Sequence, residues 1–216
     1  MRVLVACETS GAVRNAFRAL GHEAWSCDLL PSDDNSHYHF RGDVDLILED
    51  GLQAKGEYFP VPWGLMIAHP PCTHLSVSGA AWFEEKRADG RQQEAIEFFL
   101  KLAGAPIPRI AIENPVCIVS TVWREPDQII HPWQFGHPEQ KSTCLWLKGL
   151  PPLVPTQLVY KQMMELPKKE RERIHYMSPR PDRWKERSKT FPGIAQAMAE
   201  QWADYSDLVT QMEANG

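Results

Sequence analysis

Apolar and polar positions along the first two thirds of the chain fall into short blocks that switch between two periods. Val3 to Ala6 is a brief apolar run without breakers and predicts a first strand. From Gly11 to Leu20 the apolar residues Val13, Phe17 and Leu20 recur at helical spacing, which predicts a helix packed on one face. His22 to Cys27 predicts a second strand, Asp45 to Leu48 a weaker one and Trp63 to Ala68 a stronger one. Gln92 to Leu102 sets Ala95, Ile96, Phe99 and Leu102 on one helical face, and Arg109 to Ile112 predicts another strand. Cys144 to Leu147 is a further strand candidate, and Gly193 to Tyr205 a closing helix. This strand–helix–strand rhythm predicts an α/β fold, a mostly parallel sheet with helices on both faces.

The pattern changes between Pro151 and Lys189. Prolines cluster there, and Lys161, Lys168, Lys169, Arg171, Arg173, Arg180, Arg183, Lys185 and Arg187 are interleaved with Tyr160, Tyr176 and Trp184. The chain thus divides into a core over 1–150, a small basic and aromatic insert over 151–187, and a segment over 188–216 that returns to the core. The insert reads as a small insertion or subdomain rather than a second full domain, and Glu170 and Glu172 accompany its basic residues as on a solvated charged helix.

Composition narrows the class. With 216 residues, 43% of them hydrophobic and 24% charged, the chain can bury one substantial core. Its net charge of −5 argues against coating nucleic acid by bulk electrostatics, while leaving room for a local basic face. Cys7, Cys27, Cys72, Cys117 and Cys144 are odd in number, widely spaced and without CxxC pairs. They are expected to be reduced thiols rather than a disulfide framework or a metal site. No signal peptide and no membrane span is expected, so a cytoplasmic location follows as the expectation.

The chemistry concentrates where predicted strands end. Leu65-Met66-Ile67-Ala68 runs into His69-Pro70-Pro71-Cys72, and the double proline stiffens the backbone leading to the thiol. Cys72 reads as a nucleophile or as a structural cysteine beside a turn. Ile110-Ala111-Ile112 ends in Glu113-Asn114-Pro115, where Glu113 reads as a base-binding acid or as a salt-bridge or capping residue. After the first strand come Cys7-Glu8-Thr9-Ser10-Gly11, small residues that let a ligand approach, although one glycine is a weak phosphate-loop signal. Asp28 closes the second strand as a ribose contact or a turn residue, and Gly42-Asp43-Val44 reads as a turn leading into a strand.

Taken in order, these segments resemble the cytosine-C5 DNA methyltransferases, which use S-adenosylmethionine. Pro70-Pro71-Cys72 with Ser76-Val77-Ser78-Gly79 matches the family's nucleophile loop, and Glu113-Asn114-Pro115 resembles its ENV motif, with Pro115 in place of valine. Ala6 to Phe17 resembles the cofactor loop, with Thr9 and Ala12 where the family has glycine. Phe135 to Gln140 is similar to the approach to the QxRxR motif, but Ser142 and Cys144 stand in place of its arginines after Lys141. Ser188-Lys189-Thr190-Phe191-Pro192 is similar to the last cofactor motif.

The resemblance implies a Rossmann-like class I methyltransferase fold with Cys72 and Glu113 as catalytic residues. It implies that S-adenosylmethionine is held by Cys7, Glu8, Thr9, Ser10, Gly11, Asp28, Asp43, Pro70 and Thr190. Substrate contacts would come from Ser76, Ser78, Asn114, Gln140, Lys141, Arg183 and Lys185, and the insert over 151–187 would be the target-recognition region, with its Lys and Arg on phosphates. The implied partner of the monomer is DNA, duplex or single-stranded. RNA or a free pyrimidine nucleotide is the alternative substrate, and a non-catalytic nucleic-acid- or cofactor-binding relative is the alternative of another class.

Overall fold

In this computed structural model, residues 1–50, 52–54, 57–59 and 62–214 are described. Buried apolar runs become strands and amphipathic stretches become helices. In chain order the elements are β1 (Arg2–Ala6), α1 (Ala12–Ala19), β2 (Glu23–Asp28), β3 (His39–Arg41), α2 (Val44–Asp50), β4 (Leu52–Ala54), β5 (Glu57–Phe59) and β6 (Leu65–Ala68). There follow α3 (Phe83–Ala88), α4 (Arg91–Ala103), β7 (Ile110–Pro115), α5 (Val119–Val122), β8 (Gln128–Ile130) and β9 (Thr143–Lys148). The chain closes with α6 (Tyr160–Glu165), α7 (Lys168–Arg171), α8 (Arg173–Tyr176), α9 (Arg183–Ser188) and α10 (Pro192–Ala214).

The main sheet has seven strands in the order β3-β2-β1-β6-β7-β9-β8, and β4 pairs with β5 in a separate hairpin. From β3 through β7 every pairing is parallel, whereas β9 runs antiparallel to both β7 and β8. Alternate residues of β1 feed two cores, Leu4 and Ala6 on one face, Val3 and Val5 on the other. The first core takes Val44 and Ile47 of α2 and Phe99 and Leu102 of α4. The second takes Val13 and Phe17 of α1 and Ile194, Met198 and Trp202 of α10. The expected α/β fold, a mostly parallel sheet with helices on both faces, is therefore the one observed.

One predicted element changes identity. Asp45 to Leu48, expected as a strand, lies within helix α2, and the turn at Gly42-Asp43-Val44 leads into that helix rather than into a strand. Asp43 Oδ1 accepts the Asp45 N–H at 3.0 Å, the bond of a helix-capping side chain. Val44 and Ile47 are buried while Leu46 is exposed, so the apolar run follows a helical rather than a strand period.

The basic stretch from 151 to 187 folds as the short helices α6 to α9 and is stitched back to the core. Gly136 N–H donates to the Gln157 carbonyl, Val159 N–H to Trp133, and Gln140 N–H to Arg171. Gly193 shows how closely α10 approaches, since a Cβ there would lie 2.0 Å from the Phe135 carbonyl oxygen. Among the described residues, no helix is long and apolar enough to cross a membrane.

Candidate active site

The strand order reverses between β1 and β6, and in open α/β sheets the ligand crevice opens beyond the carboxyl ends of the strands at such a point. The segments singled out from the sequence follow these ends, with Cys7 and Glu8 after β1, Asp28 closing β2, His69 to Cys72 after β6 and Glu113-Asn114 at the end of β7.

The two candidate catalytic residues belong to neighbouring parallel strands, Cys72 in the loop after β6 and Glu113 near the end of β7. Ala68 pairs with Ile112, so the chains leave β6 and β7 side by side as His69 and Glu113. His69 Nδ1 lies 2.9 Å from Glu113 Oε2. Their loops are tied by Asn114, whose buried side-chain amide donates to the Pro70 carbonyl at 2.8 Å. The nucleophile loop is fixed further by Lys86 Nζ on the Thr73 carbonyl at 2.7 Å and by Gln92 Nε2 on the His74 carbonyl. Cys72 itself is exposed. Ser76 accepts the Ser78 N–H, and their hydroxyls are 2.9 Å apart, an arrangement that shapes the turn after the thiol.

Charge couples these groups. Burial opposes ionisation of Glu113, yet Lys141 and the His69 hydrogen bond together hold its carboxyl below the usual glutamate value. At Cys72, desolvation by the surrounding loops and the Glu113 charge push the thiol up, while Lys141 and Arg187 pull it down. Lys141 Nζ also donates to the Arg187 carbonyl at 3.2 Å, which joins the segment before β9 to α9.

The residues expected on the cofactor side divide by role. Glu8 is buried and accepts the Val13 and Arg14 N–H groups and the Ser10 hydroxyl, so an internal carboxylate occupies the start of α1. That arrangement disfavours a phosphate there, because the helix N-terminus is already matched with an anion. Cys7 (φ 60°) and Gly11 (φ 70°) carry the chain through the left-handed turns that this loop requires. At Gly11 a Cβ would meet Arg14 Nη2 at 2.2 Å. Fully buried Arg14 binds Ser26, Ser32 and Asp34 and thereby pins the loop after β2 against α1. The Thr9 carbonyl accepts the Asp33 N–H at 2.8 Å.

Burial first, and then the charges of Asp28 and Asp43, raise the Cys7 thiol far above its ordinary range, so both carboxylates act on the mouth of β1. Asp28 Oδ1 accepts the Leu30 N–H at 2.9 Å. Thr190 is half-buried just ahead of α10. Gly193 N–H donates to His137 Nε2 at 3.0 Å, which joins the two late motifs.

Of the remaining expected substrate contacts, Gln140 is exposed, whereas Lys185 Nζ lies 2.6 Å from Asp33 Oδ1 and Arg183 donates to the His175 carbonyl. These last two are engaged within the protein. Sequence reasoning missed His69 and Arg187. Only the β6–β7 register reveals the first, and only the packing of α9 reveals the second.

No family model and no curated protein matches this chain. Among solved structures it is similar to a prophage-encoded E. coli protein provisionally described as a DNA modification methyltransferase, at 14% identity and a TM-score of 0.47. The match covers 78% of this chain and 56% of that protein, so the chain spans little more than half of the relative's length.

Proposed function

We propose that the protein is an S-adenosylmethionine-dependent methyltransferase that acts on C5 of cytosine in DNA through a transient bond between Cys72 and C6. The observation that carries this reading is that the loop after β6, which bears Cys72, runs beside the end of β7, which bears Glu113: the Asn114–Pro70 bond joins them and the Glu113 charge acts on the thiol. In its thiolate form Cys72 forms a bond to C6 as the C5–C6 double bond opens. Glu113, in contact with the exocyclic amine and N3, favours the proton that N3 takes up, which leaves C5 as the nucleophilic carbon of an enamine. S-adenosylmethionine, when bound, supplies an electrophilic methyl group for C5. Asp28 and Asp43 offer acceptors for its nucleoside hydroxyls and amine, and Cys7 to Gly11, Pro70 and Thr190 would line its path. Loss of the C5 proton to solvent returns its electron pair to the C5–C6 double bond, which breaks the bond between Cys72 and C6 and restores the thiolate. In duplex DNA the base must leave the stack, at a cost of roughly a few kcal/mol.

The segment 151–187 would form the recognition insert, with Arg183, Lys185 and Gln140 near the substrate path alongside Ser76, Ser78 and Asn114. Its basic residues are partly engaged: Arg173 pairs with Glu139, Arg180 with Asp182 and Lys185 with Asp33. That engagement favours a second reading in which the same chemistry serves a single strand, RNA or a free pyrimidine nucleotide, where fewer phosphates need neutralising.

Incubation with labelled S-adenosylmethionine and duplex DNA, single-stranded DNA, tRNA or dCMP tests the proposal. Label is expected at cytosine C5 of DNA and is lost in Cys72→Ser. Tight cofactor binding with no label on any substrate would favour a non-catalytic binding protein instead.

A further inference from the structure

His69 has no part in the chemistry outlined above, yet it is the direct partner of Glu113. Its Nδ1 is 2.9 Å from Glu113 Oε2, and only 8% of the His69 side chain and 11% of the Glu113 side chain is exposed. Both backbones are fixed. The His69 N–H donates to the Ala6 carbonyl at 2.9 Å, and Glu113 lies opposite Leu145 in the β7–β9 ladder. Among the described residues, His69 Nε2 is buried with no hydrogen-bond partner. A proton on Nε2 would be a buried unpaired donor and would turn the Nδ1 lone pair on a carboxylate oxygen. A proton on Nδ1 makes the bond to Oε2 instead, so the network assigns that tautomer.

We propose that His69 is a positioning residue for Glu113. Its Nδ1–H holds Oε2 and so leaves Oε1 as the oxygen turned to the N3 and amine edge of a pyrimidine. The purpose assigned to the bond rests on the reading under Proposed function, but the bond can be tested without any substrate. A carboxylate free to rotate would meet the ring in several orientations, whereas one tethered at Oε2 is held ready for one. The other titratable or charged groups around the pair are Cys72 from the loop after β6, Lys141 from the segment before β9, Cys144 on β9 and Arg187 from α9. Removing His69 leaves Lys141 in place, so its effect on Glu113 is separable from that of the lysine.

The test is a carbon-13 carboxyl NMR titration of the full-length protein labelled at glutamate Cδ, with the Glu113 signal assigned through Glu113→Gln. The wild-type carboxyl is expected to titrate below the ordinary glutamate value. His69→Phe should move the midpoint up by about one pH unit, the size of one lost hydrogen bond to a charged group. His69→Asn keeps an N–H near the place of Nδ1–H and should recover most of that shift. An unchanged midpoint in His69→Phe, or the same rise in His69→Asn, overturns the proposal. Should His69→Phe fail to fold, nitrogen-15 imidazole shifts of the wild type decide: a proton on Nδ1 above a bare Nε2 supports it, and a neutral ring protonated on Nε2 overturns it. A protein that bound cofactor but transferred no methyl group would defeat the proposed function and leave this result standing.

Discussion

Asn114 donates its side-chain amide to the Pro70 carbonyl at 2.8 Å, and so one buried hydrogen bond joins the loop that carries Cys72 to the strand that carries Glu113. Asn114→Ala leaves that carbonyl buried without its donor, which costs about 1–3 kcal/mol of stability. A lower urea midpoint is expected, together with a fall in methyl transfer larger than the loss of folded protein explains.

Lys141 sets the charge at the site. It lowers the Glu113 carboxyl and, with Arg187, opposes the desolvation by neighbouring loops and the Glu113 charge that raise the Cys72 thiol. Lys141→Met should therefore push both groups upward. Any such rise lowers the share of Cys72 present as thiolate at neutral pH. Alkylation by iodoacetamide, followed at Cys72 by mass spectrometry between pH 6 and 10, should slow in this variant and reach its midpoint at higher pH. An unchanged profile would remove Lys141 from the account.

Buried thiols make stability fall in alkali. Desolvation, reinforced by nearby negative groups, pushes Cys27 and Cys144 up to about 12, and desolvation pushes Cys117 up to about 11. Unfolded thiols ionise near 8.5, at about the ordinary cysteine value. Above that pH the unfolded chain releases protons that the folded chain retains, so the contribution present at lower pH is lost as pH rises through the folded values. Each group can contribute at most about 1.4 kcal/mol per pH unit to the slope. Urea unfolding under reducing conditions from pH 7 to 10.5 should show the decline, and Cys144→Ala should flatten it.

Arg14 holds β2 and the loop after it against α1 through Ser26, Ser32 and Asp34. Its side chain is fully buried while that of Asp34 is 36% exposed, so solvent softens the ion pair and the buried hydroxyls carry part of the bond. Arg14→Met should cost about 2–3 kcal/mol, below the usual loss for a wholly buried pair. Calorimetry should also show weaker binding of S-adenosylmethionine, because Asp28 precedes the released loop.

The central strands were legible because β1, β2, β6 and β7 are short apolar runs bounded by turn residues, and α1 and α4 because their apolar residues recur at helical spacing. The same clarity marked Cys72 and Glu113, since polar residues stand out where a buried run stops. Asp45 to Leu48 misled because four residues are too few to separate a strand from one helical turn, and the capping role of Asp43 settled the matter only in three dimensions. The edge strands β3 and β8 have three residues each and leave little pattern to read. His69 was hidden for a different reason. Its meaning depends on the register between β6 and β7, a relation between residues 44 positions apart that no local pattern encodes.

The most direct test of the central claim uses DNA in which the target cytosine carries fluorine at C5, incubated with the protein and S-adenosylmethionine. Fluorine cannot leave as a proton does, so the step that frees Cys72 is blocked and the covalent adduct accumulates. The account predicts a DNA-linked protein whose modified peptide contains Cys72, absent in Cys72→Ser. Methyl transfer to ordinary cytosine C5 that persists in Cys72→Ser, or an adduct mapped to another residue, would contradict it.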